Sequence, residues 1–295
     1  MSDSTATANR LRDEARADLA GLRARHGALF DRSWHKRLRG PVLVLILLGL
    51  AAFAMVRLDF SLARIISGAG RLWDFALMMF PPSAGGHAAT YIRTLGETLA
   101  IAYLGTMVAA IVALPIAFLA ARNVIPNIFV HFATRRVFDT MRGVDTLIWA
   151  LIWVGVVGLG PFAGVLAIAC SDFGGFGKLF SEAIETADAK PVEGVASSGG
   201  SRLQQVRFGI LPQIFPVIAS QILYFFESNT RSATIIGIVG AGGIGTHLAE
   251  QIRVLEMQQV AFLVLLILIT VTVIDFISAR IRFAIIGQGA MSSRG

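Results

Sequence analysis

Six stretches of this chain are apolar for long enough to cross a bilayer, and that property decides its class of fold. A membrane helix needs about 20 mostly apolar residues, within a range of about 17–25. The runs are 41–56, 95–119, 146–158, 162–180, 210–226 and 260–277. The third is short and is expected to begin earlier, near Val137. A glycine-crowded apolar piece at 235–244 is too short to span and reads as re-entrant or interfacial. The expected fold is all-α, with six transmembrane helices in one membrane domain.

Composition agrees where it bears on that reading. Hydrophobic residues make up 55% and charged residues 15%, against averages of about 45–50% and about 25% in soluble domains. Mean hydropathy is +0.69. The net charge of +7 does not point to nucleic acid, because nine of the 26 basic residues precede Pro41 and no nucleic-acid-binding motif is present. The region before the first apolar run is longer than a whole signal peptide of about 15–30 residues, so cleavage is not expected. Residues 1–40 read as a polar tail becoming a basic helix beside anionic lipid headgroups, with Leu11, Leu19, Leu22 and Leu29 among Arg12, Arg16, Arg23 and Arg25. Residues 58–82 read as an external amphipathic stretch with Trp73, lying along the interface.

Lys and Arg set the orientation. With both termini inside, the inner segments hold twenty basic residues and the outer ones six: Arg57, Arg64, Arg71, Arg93, Arg231 and Arg253. The count favours N-in, C-in in the cell (inner) membrane, with the polar stretch 181–208 in the cytoplasm.

That stretch carries the main motif, EGVASSGGSRLQQVRFGILP at 193–212. Pro191 suits a helix's first turn. Gly199 and Gly200 end that helix. Ser201 with Gln204 makes a capping box for a second one, whose Leu203, Val206 and Ile210 share a face. The expectation is a compact helix-turn-helix, against the plainer reading of an ordinary linker. The chain has no GxxxxGK[ST] phosphate loop. Gly177-Lys178-Leu179 lacks both the upstream glycine and the hydroxyl residue. If ATP powers transport, a separate subunit hydrolyses it.

Here the chain resembles the permease subunits of binding-protein-dependent ABC importers, whose cytoplasmic signature is E-A-A, three residues, G, nine residues, I-x-L-P. Glu193, Gly199, Leu211 and Pro212 match it. Gly194 and Val195 replace Ala-Ala, and Gly209 stands where Ile is usual. The strings GLGPFAG (158–164), KLFSEAIE (178–185), RSATIIG (231–237) and GAGGIG (240–245) look like permeases of phosphonate import systems. Cys170-Ser171-Asp172 departs at a place where relatives often carry histidine.

The resemblance covers about 90–285 and implies a type I importer (MetI-like) fold. The domain reading is a tail at 1–40, a permease domain at 41–285 with its coupling loop at 190–212, and a tail at 286–295. It further implies a homodimer, two ATPase subunits holding ATP and Mg, and an extracytoplasmic binding protein. The cargo it implies is phosphonate, inorganic phosphate or phosphite, expected to be imported by alternating access. The chain itself is expected to hold no cofactor or metal and to perform no chemistry. Alternatives are a methionine- or betaine-type permease, a secondary transporter, or an intramembrane enzyme. The secondary transporter would need inverted repeats, and the enzyme would need a nucleophile or metal set on facing helices.

Gly240-x-Gly242-x-x-Gly245 fits the dinucleotide pattern, but no βαβ context surrounds it. Gly237, Gly240, Gly242, Gly243 and Gly245 read instead as close packing or, by resemblance, as an external gate. Glu227 and Arg231 lie one turn apart, with Asn229 between them, at the expected outer end of the fifth span. Two readings stand: an interfacial ion pair, or a pathway where Arg231 meets an oxyanion and Glu227 orients it. Glu97, Asp145, Asp172 and Asp275 read as structural, with Asp275 paired to Arg280 or Arg282. The five histidines show no metal spacing.

Overall fold

The computed structural model describes Gly21, residues 34–58 and residues 60–292, and every regular element among them is helical. The basic helix expected before Trp34 lies outside the described residues. The chain divides into two compact units, Met1–Asp74 and Phe75–Gly295.

In the first unit, α1 (Trp34–Arg57) contains the apolar window Gly40–Arg57, long and apolar enough to cross a membrane. Then comes α2 (Leu62–Met78), whose last turn from Phe75 is counted in the second unit, with Ile65, Ile66, Leu72, Trp73 and Leu77 on one face and Arg64, Arg71 and Asp74 on the other. That is the amphipathic pattern expected of an interfacial helix.

The second unit holds α3 (Ala88–Ala120), α4 (Ile128–Arg142), α5 (Thr146–Val157), α6 (Pro161–Glu185) and α7 (Ala189–Ser197). A one-turn α8 (Arg202–Gln204) then runs through a π-helical segment (Gln205–Ile210) into α9 (Leu211–Gly237). The short α10 (Ile244–Arg253) and the long α11 (Met257–Ser292) complete the chain.

Small residues set the central packing. Along α3, Ala102, Gly105, Ala109, Ala113 and Ala117 lie on a buried stripe that meets α6. A Cβ on Gly105 would stand 2.7 Å from Ile168, and one on Gly164 would strike the Ala241 carbonyl. Backbones approach this closely only where side chains are missing, which is how membrane helices gain packing energy. The matching positions run in parallel: Gly105 stands beside Ile168 partway along, and Arg122 beside Glu185 seventeen residues further on in both. Since α3 and α6 run the same way, the chain between them must return across the bundle.

That return differs from expectation. The third span is not one helix but α4 and α5, bent by 86°. Asp145 explains the break. It sits between the helices as the N-cap of α5, and its Oδ1 accepts the Leu147 N–H at 2.8 Å. An N-cap has extended backbone and cannot lie inside a helix. With this pair taken as one span, six candidate spans are present among the described residues.

The fifth span is also longer than expected. It does not end near Phe226 but runs on to Gly237, so Glu227, Asn229 and Arg231 sit within the helix and not at its outer end. Asn229 bonds Thr106 and Asp172. Thr106 is eighteen residues into α3, and Asp172 eleven residues into α6, about 27 and 17 Å along helices of about 50 and 38 Å. This level is the middle of the bundle.

Candidate functional site

The hairpin at 189–212 forms as the local sequence dictates. Asp188 caps α7 by accepting the Lys190 N–H at 3.0 Å, and Pro191 occupies the first turn. Gly199 ends the helix at φ +81°, a left-handed conformation that glycine adopts without strain. Gly199 and Gly200 donate back to the carbonyls of Ala196 and Val195, each at 3.0 Å. Ser201 opens the next turn with the expected capping box, its N–H donating to Gln204 Oε1 at 2.7 Å. Gly209 also gains a physical reason. A Cβ there would stand 2.9 Å from the Val192 Cα, so α7 can cross the π-helical segment only at this glycine.

The hairpin presents Glu193, Gly194, Leu203 and Phe208 outward, Leu203 at 78% and Phe208 at 58% exposure. A shallow concavity lined by Gly194, Val195, Gly199, Gln204 and Phe208 lies on its surface. Leu211 and Pro212 stand at its exit, where α9 begins.

At mid-bundle, α9 carries two different polar faces. Asn229 faces inward, only 4% exposed. It donates to Thr106 Oγ1 at 2.8 Å and to Asp172, and Thr106 donates to the Ala102 carbonyl at 2.7 Å. This buried knot joins α3, α6 and α9, and it places Asn229 on a different face of α9 from Glu227 and Arg231.

On the other face the expected pairing is exchanged. Glu227 does not orient Arg231. It meets Arg282 of α11 at 2.8 Å, with the two side chains 14% and 24% exposed. The geometry is that of an ion pair and not of an aligned hydrogen bond. Arg231 instead reaches Asp275 of α11, its Nη1 standing 3.3 Å from both carboxylate oxygens. Asp275 therefore does not pair with Arg280 or Arg282, because the antiparallel crossing of α9 offers closer partners. The Arg231–Asp275 pair is loose and open, at 47% and 40% exposure. Among the described residues, the Nε and Nη2 of Arg231 have no partner.

The glycine segment after α9 folds back into the bundle. Gly160 donates to the Gly240 carbonyl at 2.9 Å, Gly243 to Glu97 Oε1 at 2.9 Å, and Ile244 to Thr98 Oγ1 at 2.8 Å. A Cβ on Gly237 would stand 2.6 Å from the Gly242 carbonyl, and one on Gly245 would overlap the Thr234 carbonyl. Glu97 and Thr98 thus hold the turn. Sequence reasoning gave them no such role, since they lie 146 residues from their partners.

A family model described as the binding-protein-dependent transport system inner membrane component matches residues 113–286. The chain belongs to that family. It is the multi-pass, membrane-embedded permease of an ABC importer, a transporter component and not an enzyme. An ATPase and a substrate-binding protein accompany such permeases. Among its relatives, the putative phosphite transport system permease protein HtxC of Stutzerimonas stutzeri is 39% identical over 241 residues, covering 82% of this chain and 85% of that protein. The phosphite transport system permease protein PtxC of the same organism is 36% identical, covering 86% and 91%. The putative cryptic phosphonate transport system permease protein PhnE2 of Escherichia coli K12 is 47% identical over 118 residues, covering 40% of this chain and 97% of that one. The MetNI methionine ABC transporter, solved in inward-facing conformations, superposes with a TM-score of 0.60 at 19% identity, over 69% of the permease and 99% of that chain. This likeness establishes the type I importer fold.

Proposed function

We propose that the permease imports a phosphorus oxyanion of the phosphite, phosphonate or phosphate class. The names of its relatives support this class. The geometric observation that carries it is Arg231. A guanidinium within a membrane span costs about 2.5–3.5 kcal/mol on insertion scales, so such residues face bundle interiors or aqueous cavities. Arg231 is half exposed at mid-bundle, with two N–H edges unused. Its planar fork matches an oxyanion bidentately, which a lysine ammonium does not.

In this reading the 190–212 hairpin docks the ATPase through Glu193, Gly194, Val195, Gly199, Ser201, Leu203 and Gln204. The termini and the hairpin lie in the cytoplasm, supported by the basic-residue asymmetry. Removing Arg231 from the external count widens that asymmetry. The turn through Gly237, Gly240, Gly242, Gly243 and Gly245 acts as the external gate. Two copies of this chain form one pathway above two ATPases that hold ATP and Mg. The native mass of the purified complex checks the stoichiometry, and a second, different permease chain would correct it to a heterodimer.

Calorimetry of the partner binding protein against phosphite, phosphate and a phosphonate tests the substrate class. Preference for an amino acid or a betaine overturns it. In reconstituted vesicles, Arg231→Lys is expected to lower oxyanion uptake about tenfold, the value of one charge-assisted hydrogen bond. Unchanged uptake removes Arg231 from the pathway.

A further inference from the structure

Two side chains fasten the feet of the hairpin to the helices on either side of it. At the second foot, Gln213 lies in the first turn of α9. Its Oε1 accepts the Asp188 N–H at 2.9 Å. Its Nε2 donates to the Asp188 carbonyl at 3.1 Å and to the Gly209 carbonyl at 2.6 Å. One amide thus bridges the N-cap of α7, the end of the π-helical segment and α9. The arrangement needs an acceptor and a donor on one side chain, which neither a carboxylate nor a hydrocarbon supplies.

At the first foot, Glu185 ends α6. Its Oε1 accepts the Arg122 N–H at 3.0 Å, and its Oε2 meets Arg135 Nη2 at 2.9 Å. Asn123 donates to the Ile184 carbonyl at 2.7 Å. Behind this, Arg122 Nε donates to His131 Nε2 at 3.1 Å, and His131 Nδ1 donates to the Ala120 carbonyl at 2.6 Å. The end of α6 is therefore tied to the connection between α3 and α4. Only Thr186 and Ala187 separate Glu185 from Asp188.

We infer that Gln213 and Glu185 are positioning residues for energy coupling. They stiffen the base of the hairpin so that displacement by the ATPase moves α6 and α9 instead of being absorbed. The inference rests on the reading of the hairpin as the ATPase-docking element. Its physical basis is the shortness of the tether. A few loop residues can take up a large displacement by rotating φ and ψ, which is how hinges work. Thr186 and Ala187 would form such a hinge if Asp188 were free. With Asp188 held by Gln213 and α6 held by Glu185, the tether becomes a strut. Neither side chain bonds to the exposed docking residues Glu193 and Leu203, so coupling and docking are separable.

The test uses the complete complex, with ATPase and binding protein, reconstituted in vesicles with phosphite as the transported probe. Gln213→Glu keeps the acceptor and loses both donated bonds. Glu185→Gln keeps an acceptor for Arg122 and loses the charge facing Arg135. The ATPase is expected to co-purify with both variants and to hydrolyse ATP, while phosphite moved per ATP falls about tenfold, within the range of couplings carried by such networks. A second readout needs no substrate. In a Leu159→Cys, Cys170→Ala background, the thiol at this exposed position should change its maleimide labelling on ATP addition in the otherwise parental complex and not when Gln213→Glu is added. Unchanged uptake per ATP together with unchanged labelling overturns the inference. Loss of the ATPase from the complex also overturns it, because the pins would then shape the docking surface itself. Glu193→Ala, run alongside, reports on docking alone: if the ATPase stays bound and uptake is normal, it is the docking reading that fails.

Discussion

Truncating Glu227 to alanine should cost the permease about 3 kcal/mol of stability, by stranding Arg282. The pair stands at 2.8 Å, with side chains only 14% and 24% exposed. At an effective dielectric of about 20, unit charges at that distance attract by about 6 kcal/mol, much of it cancelled by desolvation. Breaking one partner of a buried pair typically costs about 3–5 kcal/mol. A lone arginine in a span costs about 2.5–3.5 kcal/mol on insertion scales. The Tyr224 ring, 5.9 Å from the Arg282 guanidinium, remains as a weak partner and retains about 0.5–1 kcal/mol. For a chain of 295 residues, about 3 kcal/mol corresponds to a fall in Tm of about 5 °C. Thermal unfolding of the detergent-purified complex measures it. The combined variant Glu227→Leu with Arg282→Leu should recover most of the loss, since no charge is then left unpaired. Asp275→Asn should move Tm far less, because the pair with Arg231 is half exposed at 3.3 Å and such pairs contribute about 0–1 kcal/mol. If Glu227→Ala unfolds like the parent, or the double variant is as unstable as the single one, the ion pair is not a brace.

Two further substitutions test the glycine contacts. In Gly245→Ala the added methyl overlaps the Thr234 carbonyl and comes within 2.9 Å of the Gly237 Cα, both backbone atoms; overpacking of this kind should cost about 1–3 kcal/mol, read as a lower Tm. Gly209→Val pushes against the Val192 Cα and tilts α7 off the π-helical segment. The expected result is a normally expressed permease that no longer retains the ATPase on affinity purification, and full retention would show that the crossing can relax.

Local signals in the chain were reliable wherever the interaction was local. Pro191 in the first turn of α7, the left-handed Gly199 and the Ser201–Gln204 box all form as their spacing dictates, because each rests on residues within a few positions of one another. The partners of charged residues were not legible in the same way. Spacing on one helix face paired Glu227 with Arg231, yet each finds its partner on α11, at Arg282 and Asp275. An i,i+4 ion pair is worth only about 0.2–0.5 kcal/mol, so a neighbouring helix that offers an opposite charge decides the pairing. Hydropathy missed the break at Asp145 for a related reason, since averaging over a window hides a single capping carboxylate.

The sequence by itself determined that the chain crosses a membrane several times, as helices, and that a structured hairpin interrupts the spans. Those facts follow from apolar run length and backbone propensity, which are properties of contiguous residues. Only the tertiary structure decided the depth of the polar group on α9. The apolar run 210–226 stops at Glu227, where charge follows it, but the helix continues to Gly237. The neighbouring helices make that continuation affordable. Thr106 and Asp172 satisfy Asn229, Arg282 neutralises Glu227, and Asp275 stands beside Arg231. A polar segment can lie in the middle of a membrane bundle when its partners come from other helices, and no window along one chain contains them.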